Sequence, residues 1–358
     1  MPEVDKLFDA LLAHNGSDLH LAVGYTPMAR IKGELVSLSN SVLKATDTER
    51  LLFELLNDAQ AATFRSTGDL DFAYAFGTRA RFRANYLLKV GGAGAVFRTI
   101  PSKIPSIEDL GLPPAVVDLA DRRAGLVLVT GPTGSGKSTT LAAMLSHINE
   151  SRAGHILTIE DPVEFVHKPI QCQITHREVG VDAPTFADAI RSAGRENADV
   201  ILVGELRGAE TMRLALQTAS YGVLVLATVH TNSATATINR FVNAFSASQQ
   251  PQIRGMMADA LAGIVAQQLL RTKDGKGRIA AHEILIGNRG VGSAIRESKT
   301  TMIPSLIQAG ARDGMQSMDA TLERLVKAGK VTAQDALERA TSKDHFARLP
   351  AIAEGLTG

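Results

Sequence analysis

A strand-like run, a glycine-rich loop and a helix-like segment follow one another directly within this 358-residue chain. The loop spells Gly-Pro-Thr-Gly-Ser-Gly-Lys-Ser-Thr over 131–139, between the apolar run 125–130 and the helix-like segment 140–148. This order is typical of a P-loop, in which backbone N–H groups and a helix N-terminus face a phosphate chain. The phosphate-binding residues are therefore predicted to be Gly131, Thr133, Gly134, Ser135, Gly136, Lys137, Ser138 and Thr139.

Two side chains of this loop have specific expected roles. Lys137 is expected to reach the β- and γ-phosphates, and the hydroxyl of Ser138 to bind Mg²⁺. A glycine-rich turn without function is the alternative. The strand before the loop and the helix after it argue against that alternative.

Composition excludes several other classes of protein. Hydrophobic residues make up 45% of the chain and charged residues 21%, which is typical of a soluble globular protein of about two domains. A net charge of +1 and 4% aromatic residues give no case for nucleic-acid binding or an anionic membrane. Cys172, the only cysteine, excludes an intrachain disulfide and a cysteine-rich zinc site, and its thiol is expected to be structural. Without a secretion signal or an apolar run of about 18 residues, we expect a cytoplasmic protein with no membrane span.

The first hundred residues are predicted to form an α+β domain with a mostly antiparallel sheet. Apolar residues recur at helical spacing near the N-terminus, and later segments alternate as strands with one buried face do. Helices are predicted over 4–12 and 47–56, the second with an Asp or Thr cap, and strands over 18–23, 28–31, 69–75, 79–88 and 94–99. We place this domain at residues 1–100.

A linker is predicted over 101–114, followed by an ATPase-type α/β domain over 115–358. Two prolines within Ile100–Pro105 disfavour helix at the start of the linker. Beyond it, short apolar runs alternate with helical segments, which indicates a doubly wound core with buried parallel strands. The runs lie at 126–130, 155–160, 199–203 and 223–228, and the chain is expected to be mainly helical from about Val291.

Carboxylates follow two of these predicted strands. Glu160, Asp161 and Glu164 crowd the end of one strand, and Glu205 ends another in the arrangement called Walker B. Beside a P-loop such groups bind Mg²⁺ or orient a water, although a solvated acidic loop is the alternative at the first strand. We predict Ser138, Glu160 and Glu205 as the metal ligands. Arg207 lies two residues beyond Glu205 and could pair with it.

A histidine follows the fourth apolar run. His230 and the hydroxyl and amide groups after it could sense a γ-phosphate by hydrogen bonding. The alternative is a helix cap at Thr231 or Ser233 with His230 as a structural residue, and spacing alone favours it.

Three arginines stand out in the N-terminal domain. Arg81 and Arg83 are predicted to share one strand face, with Phe82 and Ala84 on the other, and Arg98 ends the next strand. Such cations can stabilise a phosphate of a neighbouring subunit. Taken alone, a solvated basic face is the more common explanation.

Together these segments resemble the type IV pilus retraction ATPases, the PilT-like family of the secretion and pilus motor superfamily. The resemblance covers nearly the whole chain, and the order and spacing of its motifs are specific. The matching segments are 17–21, 92–101, 125–144, 156–165, 230–234, 281–284 and 294–298.

The resemblance implies a PAS-like N-terminal domain joined to a RecA-like P-loop ATPase domain with a helical C-terminal end. It implies a homo-hexameric ring that binds ATP and Mg²⁺ at subunit boundaries and hydrolyses ATP. Such a motor would drive pilus retraction and twitching motility. It would sit at the cytoplasmic face of the inner membrane through a platform protein of the pilus, and no nucleic-acid partner is expected.

Residue roles follow from the resemblance by matching position. Glu164 would be the catalytic glutamate that polarises the attacking water, Glu205 the Walker B acid, and His230 the centre of a His box. Three arginines would face nucleotide, namely Arg81, Arg83 and Arg98. Segment Ala294–Ser298 would couple the ring to retraction without touching ATP.

The chain also departs from the family pattern around Walker B. Residues 194–199 read Gly-Arg-Glu-Asn-Ala-Asp where the family has Leu-Arg-x-x-Pro-Asp, and 220–223 read Ser-Tyr-Gly-Val for Glu-Thr-Gly-His. Gly208 and Asn239 each replace an aspartate. These changes favour a divergent paralogue over the principal retraction motor.

Alternative functions therefore stay open. One is an accessory ring subunit that modulates a paralogous retraction ATPase. Another is an assembly or secretion ATPase, although those relatives usually carry an extra N-terminal domain and a four-cysteine metal module. A nucleic-acid translocase is disfavoured by the charge and the scarce aromatic residues.

Overall fold

The chain forms two compact units, of which the computed structural model describes residues 2–77, 79–100, 104–349 and 352. The first unit comprises Met1–Lys103 with Pro162–Phe165, and the second comprises Ile104–Asp161 with Val166–Gly358. Of the predicted linker, residues 101–103 lie outside the described residues. From Ile104 onward its residues belong to the second unit, where Ile107 and Leu112 are buried in the core.

The first unit is an α+β domain, as predicted, around a six-stranded antiparallel sheet of order β3-β2-β1-β6-β5-β4. Its core centres on Phe8, whose ring stacks 4.2 Å from that of Phe82. Its elements are α1 (Asp5–Ala13), β1 (Asp18–Ala22), β2 (Met28–Ile31), β3 (Glu34–Ser37), α2 (Ala45–Phe53), α3 (Asp58–Thr67), β4 (Asp69–Phe76), β5 (Ala80–Lys89) and β6 (Gly92–Ile100).

Side chains along β5 alternate between the core and the outer face of the first unit's sheet. Phe82 and Ala84 are buried, whereas Arg81 is half-buried and Arg83 is exposed. The predicted separation of arginines from apolar residues is therefore confirmed.

The second unit is a doubly wound α/β domain with a seven-stranded sheet of order β13-β12-β7-β11-β10-β8-β9. All neighbouring strands are parallel except β12 and β13. Its strands are β7 (Gly125–Thr130), β8 (Gly154–Glu160), β9 (Cys172–Glu178), β10 (Val200–Val203), β11 (Leu224–Val229), β12 (Leu261–Arg271) and β13 (Arg278–Ile286).

Helices of the second unit cover both faces of its sheet. Along β7, Leu126 and Leu128 pack into one apolar cluster, and Val127 and Val129 into another. The helices are α4 (Pro114–Ala120), α5 (Lys137–Ser151), α6 (Phe186–Ala193), α7 (Ala209–Ser220), α8 (Ala234–Asn243), α9 (Gln250–Ala260), α10 (Arg289–Arg296), α11 (Ile303–Ala309), α12 (Met318–Lys327), α13 (Ala333–Arg339) and α14 (Lys343–Phe346), with short 3₁₀ turns at Thr300–Met302 and Gly310–Asp313.

The structure corrects several details of the sequence-based assignment. The elements that were not predicted include β3, α3, β9, β12 and β13. The expected Asp or Thr cap of α2 is wrong, because the helix starts at Ala45 after Lys44. Asp47 instead lies inside the first turn, where its carboxylate accepts the Lys44 N–H at 3.3 Å.

In the part of the chain that the structure describes, no helix has both the length and the apolar character needed to cross a membrane.

Candidate functional site at the sheet edge

The carboxyl ends of four adjacent parallel strands bring the predicted site segments of the second unit into a row. The strands are β7, β11, β10 and β8, in that spatial order. Val229 pairs with Thr130, and Val203 pairs with both Ala227 and Ile159, so the four strands end nearly level. Since neighbouring strands lie about 4.8 Å apart, the segments that follow them form one continuous edge.

The P-loop follows β7 at one end of this edge. Gly131 has φ of 149°, and a Cβ there would collide with the backbone oxygen of Gln267 and the hydroxyl of Ser135. Gly136 has φ of 87° and is the N-cap of α5. Both positions therefore require glycine, and they let the backbone turn sharply into the N-terminus of α5.

Lys137, the first residue of α5, folds back over the loop. Its ammonium donates to the carbonyls of Gly131 and Pro132, each at 3.0 Å. The buried hydroxyl of Ser135 has no hydrogen-bond partner among the described residues. A buried hydroxyl without a partner is uncommon, and a phosphate oxygen is a suitable acceptor for it. The loop therefore fits a nucleotide phosphate chain.

The other predicted loop residues line the same turn. Ser138 and Thr139 are half-buried in the first turn of α5, whereas Thr133 and Gly134 are exposed at the tip of the loop. Ser138 therefore lies directly after Lys137, at the position that the metal ligand of a P-loop takes.

Glu205 lies just beyond β10, between the side chains of Arg207 and His230. Its carboxylate is 2.9 Å from the guanidinium of Arg207 and 3.4 Å from Nε2 of His230, and its side chain is 23% exposed. The backbone here is held to β11, since the hydroxyl of Thr228 donates to the carbonyl of Gly204. The predicted pairing of Arg207 with Glu205 is confirmed.

His230 is not a buried structural residue, because 43% of its side chain is exposed and it faces Glu205. The predicted helix cap exists as well. Ser233 caps α8, and its hydroxyl accepts the N–H of Ala236 at 3.2 Å. The residues after β11 therefore start a helix and also present His230 at the sheet edge.

Glu160 ends β8 and is buried at the same edge. Among the described residues, no group of three or more His, Cys, Asp or Glu side chains is arranged to hold a metal ion. Mg²⁺ usually takes one or two protein carboxylates together with substrate phosphates, and Ser138, Glu160 and Glu205 fit that donor set. Their role as metal ligands stays a prediction.

The remaining predicted site residues belong to the first unit. The exposed Glu164 lies in Pro162–Phe165, which groups with that unit. Arg98 donates to Asp18 at 2.9 Å, and Arg83 lies 4.0 Å from Asp71. Arg81 projects on the same strand face as Arg83. The roles of Glu164 and the three arginines at the nucleotide also stay predictions.

The structure adds a cavity of about 620 Å³ beside the P-loop. The sequence analysis predicted only the P-loop part of its lining, because β12, β13 and α13 reach the loop only through tertiary packing. Charged groups of both signs are present, so the cavity suits a polar ligand. It is lined by residues 132–135 and by Gln268, Leu269, Leu270, Arg271, Arg278, Asp335, Glu338 and Arg339.

Sequence comparison places the chain among secretion and pilus ATPases. Residues 3–338 match the family described as "Type II/IV secretion system protein". The chain is 44% identical to "Type IV pilus retractation ATPase PilT" of Pseudomonas aeruginosa, over 96% of this chain and 100% of that protein. It is 36% identical to "Type IV pilus ATPase PilU" of the same organism, over 95% of this chain and 89% of that protein.

A solved structure shares the fold of nearly the entire chain. It is described as "Crystal Structure of the Pilus Retraction Motor PilT and Bound ADP", with a TM-score of 0.90 and 40% identity over 97% of this chain and 99% of that one. The chain therefore belongs to the type II/IV secretion system protein family and to its PilT-like branch.

Proposed function

We propose that this chain is a Mg²⁺-dependent ATPase motor that couples ATP hydrolysis to the retraction of type IV pili. The observation that carries this proposal is the row formed by the P-loop, His230 and Glu205 at one edge of the sheet. The 44% identity to a pilus retraction ATPase over nearly the whole chain supports the same function.

The P-loop would bind the triphosphate. Backbone N–H groups and the N-terminus of α5 face the phosphates, and Lys137 would leave its carbonyl partners for the β- and γ-phosphates. Mg²⁺, when bound, supplies positive charge that neutralises the phosphate oxygens, and Ser138, Glu160 and Glu205 would hold it.

Glu164 would act as the general base that orients and polarises the attacking water. His230 would report the presence of the γ-phosphate to α8, which begins four residues later. Arg81, Arg83 and Arg98 would stabilise charge on the transferred phosphoryl group, either within one subunit or across a subunit boundary.

The working form would be a homo-hexamer. A ring places the arginines of one subunit against the nucleotide of the next, which makes hydrolysis depend on assembly. We propose that the ring acts in the cytoplasm on an inner-membrane platform protein of the pilus, with any membrane association supplied by that partner.

The first experiment is steady-state Mg-ATP hydrolysis by the purified oligomer and its Glu205→Gln variant. Removing this charge should lower hydrolysis by about 100-fold or more while nucleotide binding changes by less than about threefold. Glu210→Gln is the matched control, because Glu210 pairs with Arg191 on the exposed side of α7. Hydrolysis that persists in Glu205→Gln would contradict the proposed site.

A deletion strain separates retraction from assembly. Cells that lack this protein should stay piliated and fail to retract. Bald cells would favour an assembly ATPase instead.

A second candidate function is an accessory ring subunit that modulates a paralogous retraction ATPase. The observation that favours it is Gly208, the N-cap of α7, which offers no side chain to cap the helix next to Glu205. Asp, the usual residue of the family here, is a strong N-cap. Nucleotide binding by an intact ring without hydrolysis would select this second function.

A further inference from the structure

A buried polar network lies beneath the phosphate loop, and the proposed chemistry does not use it. Gln267 of β12 is 3% exposed and forms a cross-strand pair with His282 of β13. The amide nitrogen of Gln267 donates to the carbonyl of Ser135 at 2.6 Å. Its amide oxygen accepts from the hydroxyl of Thr140 at 2.7 Å and lies 3.2 Å from Nε2 of His282.

The chemistry of these partners fixes the orientation of the Gln267 amide. A carbonyl can only accept, so the amide nitrogen has to face Ser135 and the amide oxygen has to face Thr140 and His282. His282 must then carry its proton on Nε2. Burial lowers the pKa of His282 to about 4, which keeps the ring neutral at physiological pH.

The orientation of the Ser135 carbonyl sets the direction of a phosphate-binding donor. Ser135 and Gly136 share one peptide plane, and in a trans peptide the C=O and N–H bonds point in opposite directions. The Ser135 carbonyl points towards Gln267 of β12, so the Gly136 N–H points away from β12. Gly136 is the N-cap of α5, and its N–H therefore lies where the helix begins. The loop is also packed tightly here, because a Cβ on Gly136 would lie 2.9 Å from the Gln267 amide nitrogen.

We propose that Gln267 is a positioning residue that presets the Gly136 N–H for phosphate binding, and that His282 holds the Gln267 amide in the required orientation. The proposal rests on the nucleotide-binding function proposed above. Neither residue touches the nucleotide in this scheme. Both act through the Ser135–Gly136 peptide.

The test is ADP binding by the purified full-length chain, measured by isothermal titration calorimetry. Gln267→Met keeps the length of the side chain and removes its hydrogen bonds, so ADP should bind about tenfold more weakly. Gln173→Met is the matched control, since Gln173 is exposed on the edge strand β9 and should leave binding unchanged. Equal ADP affinity in Gln267→Met and wild type would overturn the proposal.

Kinetics distinguish positioning from general destabilisation. The Gly136 N–H acts on bound substrate and on the transition state alike, so KM for ATP should rise about tenfold while kcat falls by less than about threefold. A loss confined to kcat would overturn the proposal. If Gln267→Met does not fold, Gln267→Asn is the second variant. It keeps the amide, is one methylene too short to reach Ser135, and should show the same loss.

A double-mutant cycle tests the role of His282. His282→Ala should weaken ADP binding by about threefold on its own, and should cause no further loss in the Gln267→Met background. Independent effects of the two changes would overturn the role of His282. A wild-type protein that binds no ADP would contradict the proposed function itself, and this inference with it.

Discussion

At the scale of single residues, the glycines of the P-loop differ in how closely neighbouring atoms pack against them. Gly131 lies against the backbone of β12, whereas Gly134 has nothing within 4 Å of the position that a Cβ would take. Gly134, with φ of 77°, lies in the left-handed region that alanine can enter at modest cost, whereas Gly131, with φ of 149°, lies outside it. Alanine at Gly131 therefore meets a steric clash as well as backbone strain, whereas alanine at Gly134 meets backbone strain alone.

We predict that Gly131→Ala abolishes nucleotide binding and that Gly134→Ala weakens it by less than about threefold. The first change forces the loop away from Gln267, whereas the second costs only the roughly 1 kcal/mol that a left-handed alanine requires. Equilibrium binding of ADP to both variants is the measurement. Equal losses would show that packing against β12 does not control the loop.

Residues that follow a strand were predictable from sequence, and residues that reach the site from elsewhere were not. Glu205 and His230 each come shortly after an apolar run, so chain order alone placed them at the sheet edge. Gln267 gives no such signal, because it lies inside a strand and reaches the loop only through the pairing of β12 with β7 and β13. The position of His230 beside Glu205 also needed the structure, since spacing alone favoured a helix cap.

At the scale of elements, β12, β3 and α3 were missed for two different physical reasons. The burial of β12 is nearly continuous and it follows α9 with no intervening turn, so neither periodicity nor a break marks its start. The edge strand β3 is exposed at all four positions, and α3 buries only Phe64, so neither has an apolar pattern to detect. The strands with an apolar run between clear breaks were predicted to within one residue at each end, except β6, which begins two residues earlier than predicted.

Helix α10 leads into the segment that resembles a retraction-linked motif, and its N-terminus has a well-defined cap. The side chain of Asn288 accepts the N–H of Val291 at 2.9 Å. Val291 and Ile295 then pack into the larger apolar cluster of the second unit. The cap therefore fixes where α10, the helix that leads into this motif, begins.

We predict that Asn288→Ala lowers the free energy of unfolding by about 1 kcal/mol, because one N–H of the first turn loses its acceptor. Asn288→Asp is the matched control and should be nearly neutral, since aspartate caps equally well. Urea unfolding at pH 7 measures both variants. An alanine variant as stable as wild type would mean that packing alone holds α10.

At the scale of the whole molecule, two buried histidines link stability to pH. Burial lowers the pKa of both His167 and His282 from 6.5 to about 4, and nearby His176 adds to the shift at His167. Each is neutral in the folded protein near pH 5, whereas an unfolded chain would bind a proton there. The unfolded state is therefore favoured as pH falls from 6.5 towards 4.

We predict that the free energy of unfolding decreases between pH 7 and pH 5 by about 2 kcal/mol for each of these histidines. His167→Gln should remove its share of this decrease, whatever its effect on stability at pH 7. Urea unfolding at the two pH values gives the difference for wild type and variant. If the change in the free energy of unfolding between pH 7 and pH 5 were the same in His167→Gln as in wild type, His167 would be protonated or solvated in the folded state.

The bond from Gln267 to Ser135 also bears on how the protein is made. It joins positions 132 residues apart, and the partner that completes the loop belongs to a strand that begins only at Leu261. A nascent chain emerging from the ribosome thus carries the P-loop, Glu205 and His230 well before it carries Gln267. Contacts this distant form late in folding, since long loops must close first. The nucleotide pocket would then form only after the β12–β13 hairpin docks. ATP would therefore bind weakly to an incomplete chain and would stabilise it little.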